Sequence, residues 1–450
     1  MTKDIQLFDY QEDMVKRVQE AFRHHDSVMV QMPTGTGKTH VLAAIVGLFL
    51  KKNVWVVAHR RELVSQIKDT LARFFPDLDS EKIQVSSIQW LSRHYREIKE
   101  KPSLIVIDES HHALAETYAE VMNAYPKAKK LGLTATPYRL NGKGFTDLFD
   151  TLLCSWSMEK FIAEGRLSLY DYYSIKPDSA AQLLIDSLQK RGADGDYQQK
   201  ELNEVMDVRP SLERLCLTVK QYVPGKKGIV YAISIQHAEH IAEYYRDYGI
   251  KAVAISSKTP LAERQELIER FKFSSLSSSL NSASDDIEVL VSVDLFSEGF
   301  DCPDVEFIQL ARPTLSLAKY MQMVGRGLRV AEGKEYCVIL DNVGLYKRFG
   351  LPSADRDWQS MFEGRTSLED ILQETCMQVN SLNCRMDLMM DGDEEMMKII
   401  NHERQQQMII DTYGYQIVED EKGLKGIKDK DGKMILECQY KKIEVTNDGF

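Results

Sequence analysis

The chain has no long apolar run. Its longest candidate, Val41–Leu50, ends directly against Lys51 and Lys52, well short of the ~18 residues a membrane span needs. The opening MTKDIQLFDYQ has no apolar segment of the secretory kind, so the expected location is the cytoplasm, or the nucleus in a eukaryote. Seven cysteines, at 154, 216, 302, 337, 376, 384 and 438, are odd in number and include no CxxC pair. That argues against a disulfide framework or a zinc site and for reduced, mostly structural thiols. A basic surplus is missing too, because the net charge is −11. Residues 351–450 carry −9 of it, which leaves −2 for residues 1–350. The acidity therefore belongs to the C-terminal part, and a near-neutral remainder can still present a local basic groove to phosphates.

What is present is ample core material. With 43% hydrophobic and 28% charged residues over 450 positions, about two to four globular domains are expected. Short apolar runs alternate with helix-length stretches. The strand candidates are Val28–Gln31, Val54–Ala58, Leu104–Ile107 and Lys130–Thr134, then Gly228–Tyr231, Val253–Ile255, Val289–Val293 and Phe307–Leu310. Doubly apolar strands separated by helices predict α/β architecture with parallel sheets covered on both faces. The pattern runs twice, which predicts a first lobe over 1–155, a linker region over 156–210 and a second lobe over 211–345. Residues 346–412 read as a helical, Met-rich linker and 413–450 as a small α+β or β appendage. The Ser-rich run Phe273–Asp286 reads as a surface loop.

The chemistry begins at PTGTGKT, residues 33–39, placed after one apolar strand and before an apolar helix. In such a turn the backbone N–H groups of Thr34, Gly35, Thr36 and Gly37 can surround phosphate oxygens at a helix N-terminus. Lys38 would reach the β/γ-phosphates and Thr39 would ligate Mg²⁺. The usual motif opens with glycine where this chain has Met32. Asp108 and Glu109 follow the strand Leu104–Ile107, as the acidic pair of a P-loop ATPase should. Asp108 would hold Mg²⁺, and Glu109 would position and deprotonate the attacking water.

In order, the chain carries Tyr10-Gln11, PTGTGKT at 33–39, AHRRELVSQ at 58–66, DESH at 108–111, LTATPYR at 133–139, VDLFSEGFDCPD at 293–304 and QMVGRGLR at 322–329. These motifs resemble those of superfamily 2 helicases throughout residues 5–345. LTATPYRL, SEGFDCP and GRGLR are similar to the XPB/RadD-type branch of the DEAD/DEAH-box proteins. The resemblance implies two tandem RecA-like P-loop lobes, ATP and Mg²⁺ as cofactors, and a nucleic-acid partner, DNA favoured over RNA.

The same resemblance assigns roles. Gln11 would read the adenine edge, with Phe8 stacked nearby where relatives often carry Arg or Tyr. Gly299 and Asp301 would touch the ribose. Gln322 would sense the γ-phosphate, and Arg326 and Arg329 would act as arginine fingers when the lobes close. His111, Thr134 and Thr136 would couple the ATP site to the nucleic-acid track. Track candidates are Arg61, Ser87, Gln89 and Arg139 in the first lobe, and Ser234, His237, Ser257, Thr259 and Ser292 in the second. These are polar groups at strand ends able to grip phosphates without reading bases. The stretches 161–175 and 195–207 resemble inter-lobe scaffold of that branch.

Residues 423–440 resemble one unit of a WG-type β-repeat, with Gly423, Gly426, Asp429, Gly432 and Tyr440 in place and Lys425 where the Trp belongs. A single repeat cannot bury a core, so a truncated repeat or a lone hairpin that binds a protein partner is expected. The leading reading is an ATP-dependent DNA helicase or duplex translocase in repair, recombination or phage-related defence. An RNA helicase and an ATP-switched nucleic-acid clamp remain open alternatives. A small-molecule kinase would leave SEGFD and QMVGRGLR without a purpose.

Overall fold

The computed structural model describes residues 6–59, 61–76, 82–112, 116–273, 286–293, 302–366, 370, 396–413, 416–419, 425–428 and 434–440. The chain divides into two compact units. One comprises Met1–Ser157, Ser316–Gln322 and Asp355–Ile371; the other comprises Met158–Leu315, Met323–Ala354 and Leu372–Phe450.

The first unit runs α1 (Asp9–His24), β1 (Ser27–Gln31), α2 (Lys38–Gly47), β2 (Val54–Ala58), α3 (Arg61–Phe74), β3 (Ile83–Ser87), α4 (Ile88–His94), β4 (Leu104–Ile107), α5 (Glu116–Ala124), β5 (Lys129–Thr134) and β6 (Thr151–Cys154). Its six strands lie in the order β3-β2-β4-β5-β1-β6, and every pairing is parallel. β1, β2 and β4 are buried at every position, which is why β2 and β4 read as unbroken apolar runs and β1 as one between Ser27 and Gln31. α1 turns Tyr10, Met14 and Val18 inward at four-residue spacing, the interval that keeps side chains on one helix face.

The second unit begins with α6 (Met158–Ala163), β7 (Leu169–Ile175), α7 (Ala180–Asp186), α8 (Gln199–Met206), α9 (Arg209–Tyr222), β8 (Gly228–Tyr231), α10 (Ile235–Asp247) and β9 (Ala252–Ile255). α11 (Leu261–Phe273), β10 (Val289–Ser292), β11 (Phe307–Leu310), α12 (Leu317–Gly327), β12 (Tyr336–Asp341) and α13 (Leu345–Phe349) follow, α12 belonging to the first unit as far as Gln322. Then come α14 (Trp358–Phe362), which belongs to the first unit, and β13 (Met396–Ile400), α15 (His402–Tyr413), β14 (Gln416–Glu419), β15 (Lys425–Lys428) and β16 (Met434–Tyr440). The second sheet has seven strands, β13-β7-β12-β11-β8-β10-β9, parallel except that β13 is antiparallel to β7. β14, β15 and β16 form a separate antiparallel sheet.

Two expectations need correction. The expected linker over 156–210 is, from Met158 on, part of the second unit: its β7 pairs along β12, and Tyr170 N donates to Gln405 Oε1 at 3.1 Å. The expected helical stretch over 346–412 contains β13, whose five residues complete the sheet edge. It also contains α14, which returns to the first unit. There Phe145 N donates to Phe362 O at 2.7 Å, and Phe362 joins the cluster of Phe145, Phe149, Trp55 and Leu91.

Candidate active site

In the first sheet β4, β5 and β1 are neighbours, and all three run the same way. Their carboxyl ends therefore share one edge, where open α/β sheets bind ligands. The phosphate loop leaves β1 on this edge. Gly35 (φ 92°) and Gly37 (φ 78°) occupy the left-handed region that side-chain-bearing residues avoid. A Cβ on Gly37 would collide with Gln11 Nε2. The loop is also tied from outside: Gln11 Nε2 donates to Thr36 O at 3.1 Å and Tyr10 Oη donates to the same carbonyl at 3.2 Å. Thr36 Oγ1 donates to Pro33 O at 2.8 Å.

Gln11 is 2% exposed, and its Oε1 accepts the backbone N–H of Phe8 at 3.0 Å. Its amide thus fastens α1 to the phosphate loop. Phe8 is 49% exposed and stacks on Tyr10, centroids 5.7 Å apart and rings 14° from parallel. Tyr10 in turn meets Trp156 at 5.2 Å. A flat aromatic face therefore stands beside the loop.

Lys38 opens α2, and its Nζ donates to Met32 O at 3.3 Å and Pro33 O at 3.5 Å. The ammonium is held over the turn. Thr34 Oγ1 is buried with no partner among the described residues. A tight loop of backbone donors, a central ammonium and an orphaned hydroxyl fit a triphosphate. Thr39, beside Lys38, and Asp108, at the end of β4, are a hydroxyl and a carboxylate of the kind that could hold Mg²⁺ alongside phosphate oxygens.

Glu109 has φ 49°, the only positive φ at a non-glycine among the described residues. Such a conformation costs about 1–2 kcal/mol. Next in the chain, Ser110–His112 form a single 3₁₀ turn. His111 is buried, with Nδ1 3.0 Å from Thr134 Oγ1 and 3.4 Å from Glu109 Oε2. Thr134 Oγ1 accepts from Thr136 N at 3.0 Å and donates to Thr136 O at 3.2 Å. Glu109 is thereby linked through His111 to the turn after β5. Gln31, which sequence reasoning passed over, adds a second link by donating from Nε2 to Ala135 O at 3.0 Å. The signal for it was a polar residue closing a wholly apolar strand.

Gln322 and Arg326 lie four residues apart on α12, 4% and 6% exposed, and Arg329 follows the helix end. Gly299 and Asp301 lie outside the described residues.

The track candidates divide. Gln89 is exposed and donates to His59 O at 3.1 Å, and Ser257 is exposed. Ser87 and Ser234 are helix caps, accepting from Trp90 N at 3.3 Å and His237 N at 3.1 Å. Thr259 Oγ1 accepts from Ser256 N at 3.0 Å. Three others turn inward, against the expectation of a solvent-facing grip. Arg139 is 4% exposed, donates to Gly144 O at 2.6 Å, lies 3.6 Å from Asp147 and covers the Phe145 ring at 4.0 Å. Burial, partly offset by Asp147, lowers its pKa. His237 is buried with Nδ1 accepting from Ile233 N at 3.2 Å, and Ser292 is wholly buried. The side chain of Arg61 lies outside the described residues.

A phosphate loop ending β1, an acidic pair ending β4 and a second parallel-sheet unit define a tandem RecA-like P-loop enzyme. Residues 4–139 match the family of the type III restriction enzyme res subunit, and residues 210–331 match the helicase conserved C-terminal domain. A 51.5 kDa protein of a Lactococcus phage is 34% identical over 342 residues, covering 75% of this chain and 70% of its own. The Saccharomyces cerevisiae protein named as ATP-dependent helicase IRC3 is 28% identical, covering 75% of this chain and 51% of its own. The DNA 3'-5' translocase XPB2 of Sulfurisphaera tokodaii is 26% identical, covering 72% of this chain and 79% of its own. The chain thus spans about half the length of the yeast relative.

Among solved structures, a type I restriction enzyme HsdR fragment from Vibrio vulnificus YJ016 superposes with a TM-score of 0.58 at 22% identity, covering 79% of this chain and 66% of its own. The Type ISP restriction-modification enzyme LlaBIII, bound to DNA, gives 0.56 at 15% identity, covering 84% of this chain and 30% of its own. Both are likenesses of fold. The chain belongs to the superfamily 2 helicases, nucleic-acid-dependent ATP hydrolases.

Proposed function

We propose that this protein is an ATP-dependent DNA helicase or duplex translocase that works in repair, recombination or phage-related defence. The observation that carries the proposal is the single sheet edge on which Lys38, Asp108 and Glu109 meet the His111–Thr134 pair. Bound Mg²⁺ would neutralise charge on the β- and γ-phosphate oxygens. Thr39 and Asp108 would hold it. Lys38 would hold the phosphates, and Glu109 would orient the attacking water and take its proton. Arg326 and Arg329 are the candidates for balancing charge on the transferring group. If they act so, turnover would depend on a conformational step, and such a step can move a strand. The names of the XPB2 translocase and of the DNA-bound LlaBIII structure favour DNA as the track.

The test is steady-state ATP hydrolysis with no nucleic acid, single-stranded DNA, duplex DNA and RNA, alongside Lys38→Ala and Glu109→Gln. DNA stimulation lost in both variants is the expected result. Stimulation by RNA alone would make this an RNA helicase. DNA stimulation without displacement of a bound roadblock would make it a clamp.

A further inference from the structure

Two buried charged residues, neither of them in a helicase motif, hold the two ends of α12. Before the helix, Asp196 is 2% exposed. Its Oδ2 accepts from Thr314 Oγ1 at 2.7 Å, and its Oδ1 accepts from Leu315 N at 2.7 Å and Tyr197 N at 2.9 Å. After the helix, Lys334 is 7% exposed, and its Nζ donates to Gly327 O at 2.6 Å, Arg329 O at 2.8 Å and Pro303 O at 3.1 Å. An ammonium has three N–H donors, so these three carbonyls satisfy its charged form completely. Burial pulls the Lys334 pKa down, while the convergent carbonyls and the C-terminal end of α12 favour the cation.

The carbonyls that Lys334 grips belong to two different motifs. Gly327 and Arg329 lie in QMVGRGLR, and Pro303 is the last residue but one of VDLFSEGFDCPD. Cys302 and Asp304, either side of Pro303, are also tethered: Cys302 Sγ donates to Asp304 Oδ1 at 2.9 Å, and Asp304 Oδ2 accepts from Lys227 Nζ at 2.7 Å. Lys334 therefore fixes the backbone of Arg329 against an already anchored loop. An ordinary buried lysine needs only enough acceptors to be tolerated. This one links the two segments that carry the candidate ribose and γ-phosphate groups.

We infer that Asp196 and Lys334 are positioning residues that clamp the two ends of α12 and so set the register of Arg326 and Arg329 toward the transferring phosphoryl group. The inference rests on the proposed ATP-dependent function. A misplacement of about 1 Å at such a group can cost ~10²-fold in rate.

The experiment uses the full chain. Lys334→Met keeps the length and removes the donors; Asp196→Ala removes the acceptors; Asp196→Asn keeps an acceptor for Leu315 N. Each variant is assayed for kcat and KM with DNA, for its thermal transition, and for affinity toward ADP and toward ADP with aluminium fluoride. Expected for Lys334→Met and Asp196→Ala are ADP affinity within about 2-fold of the parent, kcat down about 10–100-fold at near-constant KM, and a matching loss for ADP–aluminium fluoride alone. Asp196→Asn should recover most of the rate. Should Lys334→Met fail to fold, the two Asp196 variants decide. A folded variant with parental kcat, or with ADP and aluminium-fluoride affinities reduced alike, would overturn the clamp. A parent that hydrolyses no ATP under any condition would instead sink the proposed function, and the clamp with it.

Discussion

His111 Nδ1 stands 3.0 Å from Thr134 Oγ1 and 3.4 Å from Glu109 Oε2. One imidazole therefore touches both the candidate general base and the turn after β5. Rotating or removing it alters two groups at once, which gives the pair a distinct signature under mutation.

Thr134→Val preserves shape and burial while removing the hydroxyl that serves His111 and Thr136. ADP affinity should stay near the parental value, and the stimulation of hydrolysis by DNA should fall about 10-fold, on the order of 1–2 kcal/mol for the lost hydrogen bonds. Parental stimulation would show that coupling runs elsewhere, with the Gln31–Ala135 link the next to examine.

Glu109 carries its own energetic mark. Glu109→Gln and Glu109→Gly should both bind nucleotide and both lose at least ~10²-fold in kcat. Only glycine relieves the positive φ. Its denaturation midpoint should exceed that of the Gln variant by the equivalent of about 1 kcal/mol. Equal midpoints would mean that the backbone at 109 is unstrained.

Phe8 offers an exposed ring supported by Tyr10. Phe8→Ala should raise the KM for ATP about 5-fold, from an aromatic contact worth ~1 kcal/mol, with kcat little changed. Discrimination between ATP and the other nucleoside triphosphates should weaken in parallel. An unchanged KM would remove Phe8 from the base site.

His237 supplies a pH dependence. Burial, with His240 adding to it and Asp207 opposing it, brings its pKa from 6.5 to about 4. The unfolded chain thus binds the proton first. Stability from this group is fully present above pH 6.5 and is lost as the pH falls from there through about 4. The span is on the order of 3 kcal/mol. His237→Gln, which keeps an acceptor for Ile233 N, should flatten the stability curve over that window in chemical denaturation. An unaltered slope would assign the acid sensitivity to other groups.

The parts of the molecule that were legible in sequence are those whose physics is local. Strands such as Val54–Ala58 announce themselves because both faces are buried. The phosphate loop does so because glycine is needed where φ is positive. β13 was not legible: Met396–Ile400 follows an acidic run, and five apolar-rich residues fit a helix turn as well as a strand. β7, with Asp171 between Tyr170 and Tyr172, lacked the unbroken apolar look of its neighbours. The same limit hid the ends of α12. Lys334 in AEGKE reads as a solvated charge, and Asp196 finds Thr314 118 residues away. Ser87, Ser234 and His237 were recognisable as polar groups near strand ends. Whether such a group caps a helix, fills a core or faces a ligand depends on neighbours distant in sequence.

The return of α14 to the first unit has a consequence for synthesis. Phe362, 2% exposed, closes the aromatic cluster that includes Phe145 and Phe149, yet it is made only after β7 to β12 have been translated. At about 5–20 residues per second, the roughly 200 intervening residues take about 10–40 s to leave the ribosome. For that interval the N-terminal unit carries the Phe145 and Phe149 cluster without Phe362. Any chaperone that shields this cluster would act during translation, before any nucleotide or nucleic acid is involved.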